Sequence, residues 1–95
     1  MTQEEIIHYL YVKNGTGYNI HKASEELQEL SLILTQKLTK PTKVNDQNII
    51  DEIGDVIIRL EVLKKIFPAD LIEKRIEAKL AKYEGCIKDD SYIKI

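Results

Sequence analysis

The chain has 95 residues, enough for one domain, and its 14 basic and 16 acidic residues give a net charge of −2 at pH 7. A balance this close to zero excludes the dense basic surface that binds a nucleic-acid polymer, and the single cysteine, Cys86, excludes an intramolecular disulfide framework and fits a reducing cytosol. No apolar run reaches the roughly 18 residues of a membrane span, so we expect one cytoplasmic domain over residues 1–95, with no membrane as its partner.

Two helices are predicted in the first half of the chain. Thr2 and Glu5 form a capping-box pattern that opens a short helix, and the glycines of segment 14–17 end it. Its acidic start is unlike the basic start of a signal peptide. Asn19 suits the N-cap of a second helix running to about Leu38. Its apolar residues recur every three or four positions, which is typical of a packed helical seam: Ile20, Ala23, Leu27, Leu30 and Leu34.

A loop and a third helix follow. Segment 39–46 contains Pro41 and few apolar residues, which favours a loop. We predict a helix start at Asn45 or Asp46 and a third helix over about 47–66, with an apolar inner face.

A fourth helix is predicted over about 69–84. Pro68 suits its first position, and Gly85 suits the residue that follows its last turn. Residues 86–95 lack helical periodicity, and we interpret them as a tail, a strand-like arm or a dimer contact. No strand pattern of any length competes, so the predicted fold class is all-α, a helical bundle.

The same acidic pattern occurs in the second and third helices, 26 residues apart. In each helix an acid is followed by an apolar residue, a spacer, a second acid and another apolar residue. The acids are Glu26 and Glu29 in the second helix and Glu52 and Asp55 in the third. At about 100° per residue, both pairs lie beside the apolar seam of their helix. If the two helices pack antiparallel, as their short connection suggests, all four carboxylates converge on one side of the contact.

Four converging carboxylates near a core need a cation, because like charges and burial both disfavour ionisation. Mg²⁺ prefers oxygen ligands and keeps coordination positions for water and phosphate oxygens. The pattern therefore predicts a site for a metal–triphosphate.

Simpler interpretations remain open for each motif. Acidic pairs alone are common on solvated helix faces, although no lysine stands four residues after Glu26 or Glu29 to relieve them. Glu25 points away from the seam, where it could orient a water or be a surface acid. Arg59, four residues after Asp55, could pair with that residue or reach substrate from the floor of the site.

These residues carry a family resemblance. Glu25-Glu26-x-x-Glu29, then 22 residues, then Glu52-x-x-Asp55 resembles the EExxE…ExxD signature of MazG-like nucleotide pyrophosphohydrolases. The resemblance covers about residues 19–84. It implies an all-α NTP pyrophosphatase fold and Mg²⁺-dependent cleavage of nucleoside triphosphates, deoxy or non-canonical ones in particular, to nucleoside monophosphate and pyrophosphate.

The resemblance also implies roles for the acids. Glu26, Glu29, Glu52 and Asp55 become the metal ligands for Mg²⁺, with Mn²⁺ as a substitute. Glu25 becomes a water-orienting acid. The candidate catalytic residues are Glu25 and Glu29.

Substrate contacts are expected from the last helix and the N-terminal segment. Lys79 and Lys82 occupy places comparable to the family's phosphate contacts, but Tyr83 stands where the family carries Asn, and no Arg follows it. Arg59 is a further candidate, and His21 and Tyr18 are candidates for contact with the base or ribose. An ordinary surface role explains Lys79 and Lys82 about equally well. For Tyr18 packing is the more usual role, and for His21 that of a partly buried polar residue.

A short chain with long apolar stripes is expected to complete its core by association. We expect a homodimer or homotetramer in which the second and third helices of two chains form a four-helix core. The alternatives are a non-catalytic helical oligomerisation module and a degenerate family member that binds nucleotide or metal without turnover.

Overall fold

The computed structural model describes residues 1–89 and contains four helices. They are α1 (Gln3–Asn14), α2 (Thr16–Thr39), α3 (Asp46–Ile66) and α4 (Ala69–Lys88). Within these residues there is no strand, which confirms the all-α prediction. The same part of the chain contains no helix that is both long and apolar enough to cross a membrane.

The start of α1 agrees with the sequence, whereas the start of α2 does not. Thr2 and Glu5 form the predicted capping box. The prediction of Asn19 as the N-cap of α2 is wrong, because Gly15 ends α1 and begins α2 with a single residue at φ 82°. A positive φ is readily adopted by glycine, so the chain turns there and the second helix starts at once.

Asn19 is instead a buried clamp across this turn. Its side chain is 1% exposed, and Nδ2 donates hydrogen bonds to the carbonyl oxygens of Leu10, at 3.2 Å, and Gly15, at 2.8 Å. These contacts fix the end of α1 against the first turn of α2. A residue type that favours helix N-caps satisfies backbone carbonyls here instead.

The connection between α2 and α3 is short and anchored at both ends. Asn45 caps α3 by accepting a hydrogen bond from the backbone N–H of Asn48 at 2.9 Å. Lys37 Nζ donates to the carbonyl oxygen of Val44, at 3.3 Å, and lies 3.1 Å from Asp46 Oδ1. Val44, which belongs to this connection, is buried. The predicted loop and the start of α3 are therefore confirmed.

Helices α2 and α3 form the main packed pair and run antiparallel. Lys37, late in α2, lies beside Asp46, at the start of α3, whereas Glu26, earlier in α2, lies beside Glu52, further along α3. Helix α1 packs on both of them. The buried apolar residues within 1–89 are small or branched: Ile7, Ala23, Val44, Val56 and Val62.

Helix α4 starts at the predicted residue and ends later than predicted. It starts at Ala69, with Pro68 just before its first residue, and it continues through Gly85 to Lys88. The predicted stop at Gly85 is wrong, since the carbonyl of Gly85 accepts a helical hydrogen bond from Asp89 N–H. Glycine costs about 1 kcal/mol inside a helix, which the remaining turns tolerate. Of the predicted tail, residues 86–88 are helical, and 90–95 lie outside the described residues.

The helices form an open arrangement. The radius of gyration is 16.8 Å, whereas a compact domain of this length has about 12 Å. Helix α4 contacts α3 but neither α1 nor α2, and none of its described residues is buried. Most of its apolar side chains consequently face solvent.

Candidate functional site

Three carboxylates meet between α2 and α3. Glu26 of α2 and Glu52 and Asp55 of α3 each offer an oxygen, and these oxygens lie within 4.8 Å of one another. Glu52 and Asp55 share a face because they are three residues apart in a helix. The antiparallel packing brings Glu26 to the same level, as the repeated acidic pattern predicts.

The group has a buried side and an open side. Glu26 Oε2 and Glu52 Oε1 are inaccessible to solvent and have no hydrogen-bond partner among the described residues, whereas Asp55 is exposed. A buried carboxylate oxygen without a partner is costly, so such atoms call for a donor or a cation. The exposed side leaves room for a ligand to approach.

The charges in the group act most strongly on Glu52. Its pKa is raised to about 7, first because the protonated Glu52 carboxyl can donate a hydrogen bond to Glu26. Burial and the charges of Glu26, Glu29 and Asp55 raise the pKa further. Near neutral pH the group therefore binds a proton readily in the absence of another cation.

Glu29, the fourth predicted ligand, lies at the margin. Its side chain is exposed, and it is not part of the three-carboxylate group. It lines a shallow depression on the outer face of α2 together with Glu25 and Gln28. Its charge nevertheless contributes to the raised pKa of Glu52, so it lies close enough to act on the site.

Glu25 is engaged by two basic side chains of its own helix. Lys22 Nζ lies 3.0 Å from Glu25 Oε2, and His21 Nε2 lies 3.0 Å from Glu25 Oε1. The hydrogen bond from Lys22 lowers the pKa of the Glu25 carboxyl, with a smaller effect from His21. Lys22 was not predicted from the sequence, although its spacing of three residues from Glu25 is typical of such a pair.

One nitrogen of the Arg59 guanidinium group is unsatisfied. Its Nη1 is inaccessible to solvent and has no hydrogen-bond partner within residues 1–89. No ion pair joins it to Asp55 in that part of the chain. Arg59 is close enough to Lys22 for its charge to act on that residue, as is Tyr18, which is half exposed. The structure thus brings Arg59 and Tyr18 to the Lys22–Glu25 side of the site.

The two α4 lysines predicted to contact phosphate lie away from the carboxylate group of their own chain. Lys79 Nζ lies 5.4 Å from the centroid of the Tyr83 ring on its own helix, and Lys82 is exposed. Because α4 makes no contact with α2, these lysines are not brought to Glu26 by the fold of a single chain.

The donor set fits a hard divalent cation. It consists of carboxylate oxygens from two helices, with no sulfur or imidazole among them. Mg²⁺ is commonly held by one or two carboxylates with further positions left for water and phosphate oxygens. The two unpartnered oxygens are the atoms of this group that a cation would satisfy.

Comparisons with models of known protein families, with curated proteins and with solved structures return no significant match.

Proposed function

We propose that this chain is a Mg²⁺-dependent nucleoside triphosphate pyrophosphohydrolase, which releases nucleoside monophosphate and pyrophosphate. The observation that carries the proposal is the group formed by Glu26, Glu52 and Asp55, with two buried oxygens that have no partner in the described part of the chain. Three acids held together at the cost of repulsion are better explained by a bound cation than by stability. The resemblance to MazG-like enzymes supports the choice of reaction, and we propose membership of that family.

The chain's own residues would divide the work. Glu26, Glu52 and Asp55 hold Mg²⁺, with Glu29 completing the set from the exposed side; Mn²⁺ would substitute. The ion, when bound, supplies positive charge that offsets the phosphate oxygens. Glu25 stays ionised because Lys22 lowers its pKa. Its carboxylate retains capacity to accept a hydrogen bond from the attacking water.

Substrate contacts form the second part of the proposal. Arg59, with its unsatisfied N–H, is favoured as a phosphate contact over Lys79 and Lys82 of the same chain. Tyr18 and His21 are exposed next to Glu25 and Lys22, where a base or ribose could rest on them.

Association of identical chains would complete the fold. The accessible surface is 7414 Å², whereas a folded monomer of this mass exposes about 5600 Å². The difference exceeds the roughly 800 Å² that each partner contributes to an interface of standard size. Two shallow apolar grooves account for part of it, one between α2 and α3 and one between α3 and α4, and they share Leu63 and Phe67. We propose a homodimer or homotetramer that covers this continuous surface.

A non-catalytic oligomerisation module is the rival function, favoured by the same apolar surface. The two are separated by incubating the protein with Mg²⁺ and each ribo- and deoxynucleoside triphosphate in turn. Our proposal requires nucleoside monophosphate and pyrophosphate in equal amounts from at least one of them. Nucleoside diphosphate and phosphate, or no product, would contradict it, and the absence of any change in melting temperature with these ligands would favour the rival.

A further inference from the structure

A pair of cations lies one helical turn from the carboxylate group. Lys22 precedes Glu26 by four residues in α2, and Arg59 follows Asp55 by four residues in α3. Because the two helices run antiparallel, both steps lead in the same direction, by about 6 Å at the helical rise of 1.5 Å per residue. Lys22 and Arg59 therefore face each other at the next level of the helix pair.

The two cations are close enough to repel each other. The pKa of Lys22 is raised, first by its hydrogen bond to Glu25, but the charge of Arg59 opposes this shift. Glu25 thus holds Lys22 beside a second cation. Within residues 1–89, Lys22 forms an ion pair with Glu25, at 3.0 Å, whereas Arg59 forms none.

One guanidinium nitrogen of Arg59 also lacks an acceptor among the described residues. Its Nη1 is shielded from solvent, and the described residues supply no oxygen to it. A buried N–H group without an acceptor is destabilising until an acceptor arrives. The planar guanidinium fork matches the geometry of phosphate oxygens, and an ammonium group beside it adds a point charge.

We propose that Lys22 and Arg59 form an anion site for the phosphates of the substrate, with Glu25 as the positioning residue that holds Lys22. This inference rests on the proposed function. A metal–triphosphate has one end neutralised by the cation and further oxygens free. The three carboxylates would hold the metal-bearing end of the substrate. Lys22 and Arg59, one helical turn away, would bind its free phosphate oxygens.

Titration of the wild-type protein with inorganic triphosphate in the presence of Mg²⁺ tests the site without reference to the base. Lys22→Met and Arg59→Met are each expected to weaken triphosphate binding by about tenfold or more, and to leave binding of Mg²⁺ alone unchanged. Lys88→Met is the control, because Lys88 pairs with Glu84, at 2.7 Å, on α4, which makes no contact with α2. Variant affinities within twofold of wild type, or an equal loss in the control, would overturn the proposal.

A second measurement needs no variant. In the wild-type protein, Mg²⁺ with inorganic triphosphate is expected to slow acetylation of Lys22 and not of the exposed Lys88, as followed by mass spectrometry. Equal protection of both, or of neither, would refute the anion site. If the wild type hydrolyses nucleotides and both variants bind inorganic triphosphate as tightly as it does, the anion site is refuted and the proposed reaction is not. If the wild type binds inorganic triphosphate through Lys22 and Arg59 but hydrolyses no nucleotide, the proposed reaction is refuted and the anion site is not.

Discussion

Glu26 of α2 and Glu52 of α3 face each other with one solvent-inaccessible oxygen each, and residues 1–89 supply no hydrogen bond to either oxygen. As two carboxylates they can only repel, and they become partners when a proton or a cation lies between them. The raised pKa of Glu52, at about 7, is the electrostatic consequence. The proposed function follows from this pair, since a protein that only needed stability would gain by replacing one of the acids.

Replacing Glu52 with glutamine should stabilise the protein in the absence of a divalent ion and abolish its response to one. The amide removes the repelling charge and can donate to Glu26. We expect the free energy of unfolding to rise by on the order of 1 kcal/mol at pH 8, because one pKa unit corresponds to about 1.4 kcal/mol and solvent screens part of it. Urea unfolding with and without Mg²⁺ measures both effects.

Asp51→Asn is the control for that experiment. Asp51 neighbours Glu52 but is exposed, and it accepts a hydrogen bond from Gln47 at 2.7 Å. Its variant should keep the Mg²⁺ response of the wild-type protein. A Glu52→Gln variant that Mg²⁺ still stabilises to the wild-type extent would contradict the metal assignment.

Without divalent ions, stability should fall as the pH rises from about 4.5 to about 7. Glu52 has a folded-state pKa above its ordinary value of 4.5, so in this window the folded state binds more protons than the unfolded state. Glu4, Glu5 and Glu25 have lowered pKa values and lose their stabilising contribution only below that window.

The difference between wild type and Glu52→Gln isolates this effect. Urea unfolding of both proteins at pH 5 and pH 8 should show a decline that is steeper in the wild type, and Mg²⁺ should reduce it. Parallel pH profiles for the two proteins would show that Glu52 is not the titrating group.

Gly15 and Gly54 should respond in opposite ways to alanine. A Cβ meets no atom within 4 Å at either position, but Gly15 has φ +82° and Gly54 lies within α3. We expect Gly15→Ala to lower the free energy of unfolding by about 1 kcal/mol and Gly54→Ala to raise it by about 0.5–1 kcal/mol. The same sign for both variants in urea unfolding would contradict the turn described at Gly15.

A charge in the apolar groove between α3 and α4 should dissociate the assembly. Leu60 lines that groove and is 41% exposed within one chain, so Leu60→Asp should disturb the interface more than the monomer. Sedimentation velocity at micromolar concentration should give a dimer or tetramer for the wild type and a monomer for the variant. Leu38→Asp, at a position that is 85% exposed near the end of α2, should assemble normally. A monomeric wild type would refute the proposed association.

The sequence predicted the carboxylate group because it depends on local periodicity and one short connection. Glu52 and Asp55 share a face by helical spacing, and a short loop makes the antiparallel partner α2 the simplest neighbour. Tertiary features could not be obtained this way. Whether Asn19 caps a helix or clamps a turn depends on the backbone of Gly15, and both uses suit the same side chain.

The end of helix α4 and the hydrogen bonding of Arg59 also could not be predicted from the sequence. A glycine such as Gly85 can end a helix or lie inside one. The hydrogen bond that its carbonyl accepts from Asp89 N–H shows that the helix continues. Helical spacing allowed Arg59 either to pair with Asp55 or to reach substrate. Only the packing of the described residues shows that its Nη1 has no acceptor there.

Pyrophosphate release from nucleoside triphosphates is the most direct test of the central claim, that carboxylates of α2 and α3 hold the metal of a hydrolase. With the substrate that the wild type hydrolyses best, the account predicts activity that requires Mg²⁺ or Mn²⁺. It predicts that Asp55→Asn and Glu29→Gln each reduce kcat at least about a hundredfold, by loss of charge stabilisation in the transition state, while Asp51→Asn retains wild-type turnover. Hydrolysis that proceeds without a divalent ion, or that survives both Asp55→Asn and Glu29→Gln, would contradict it.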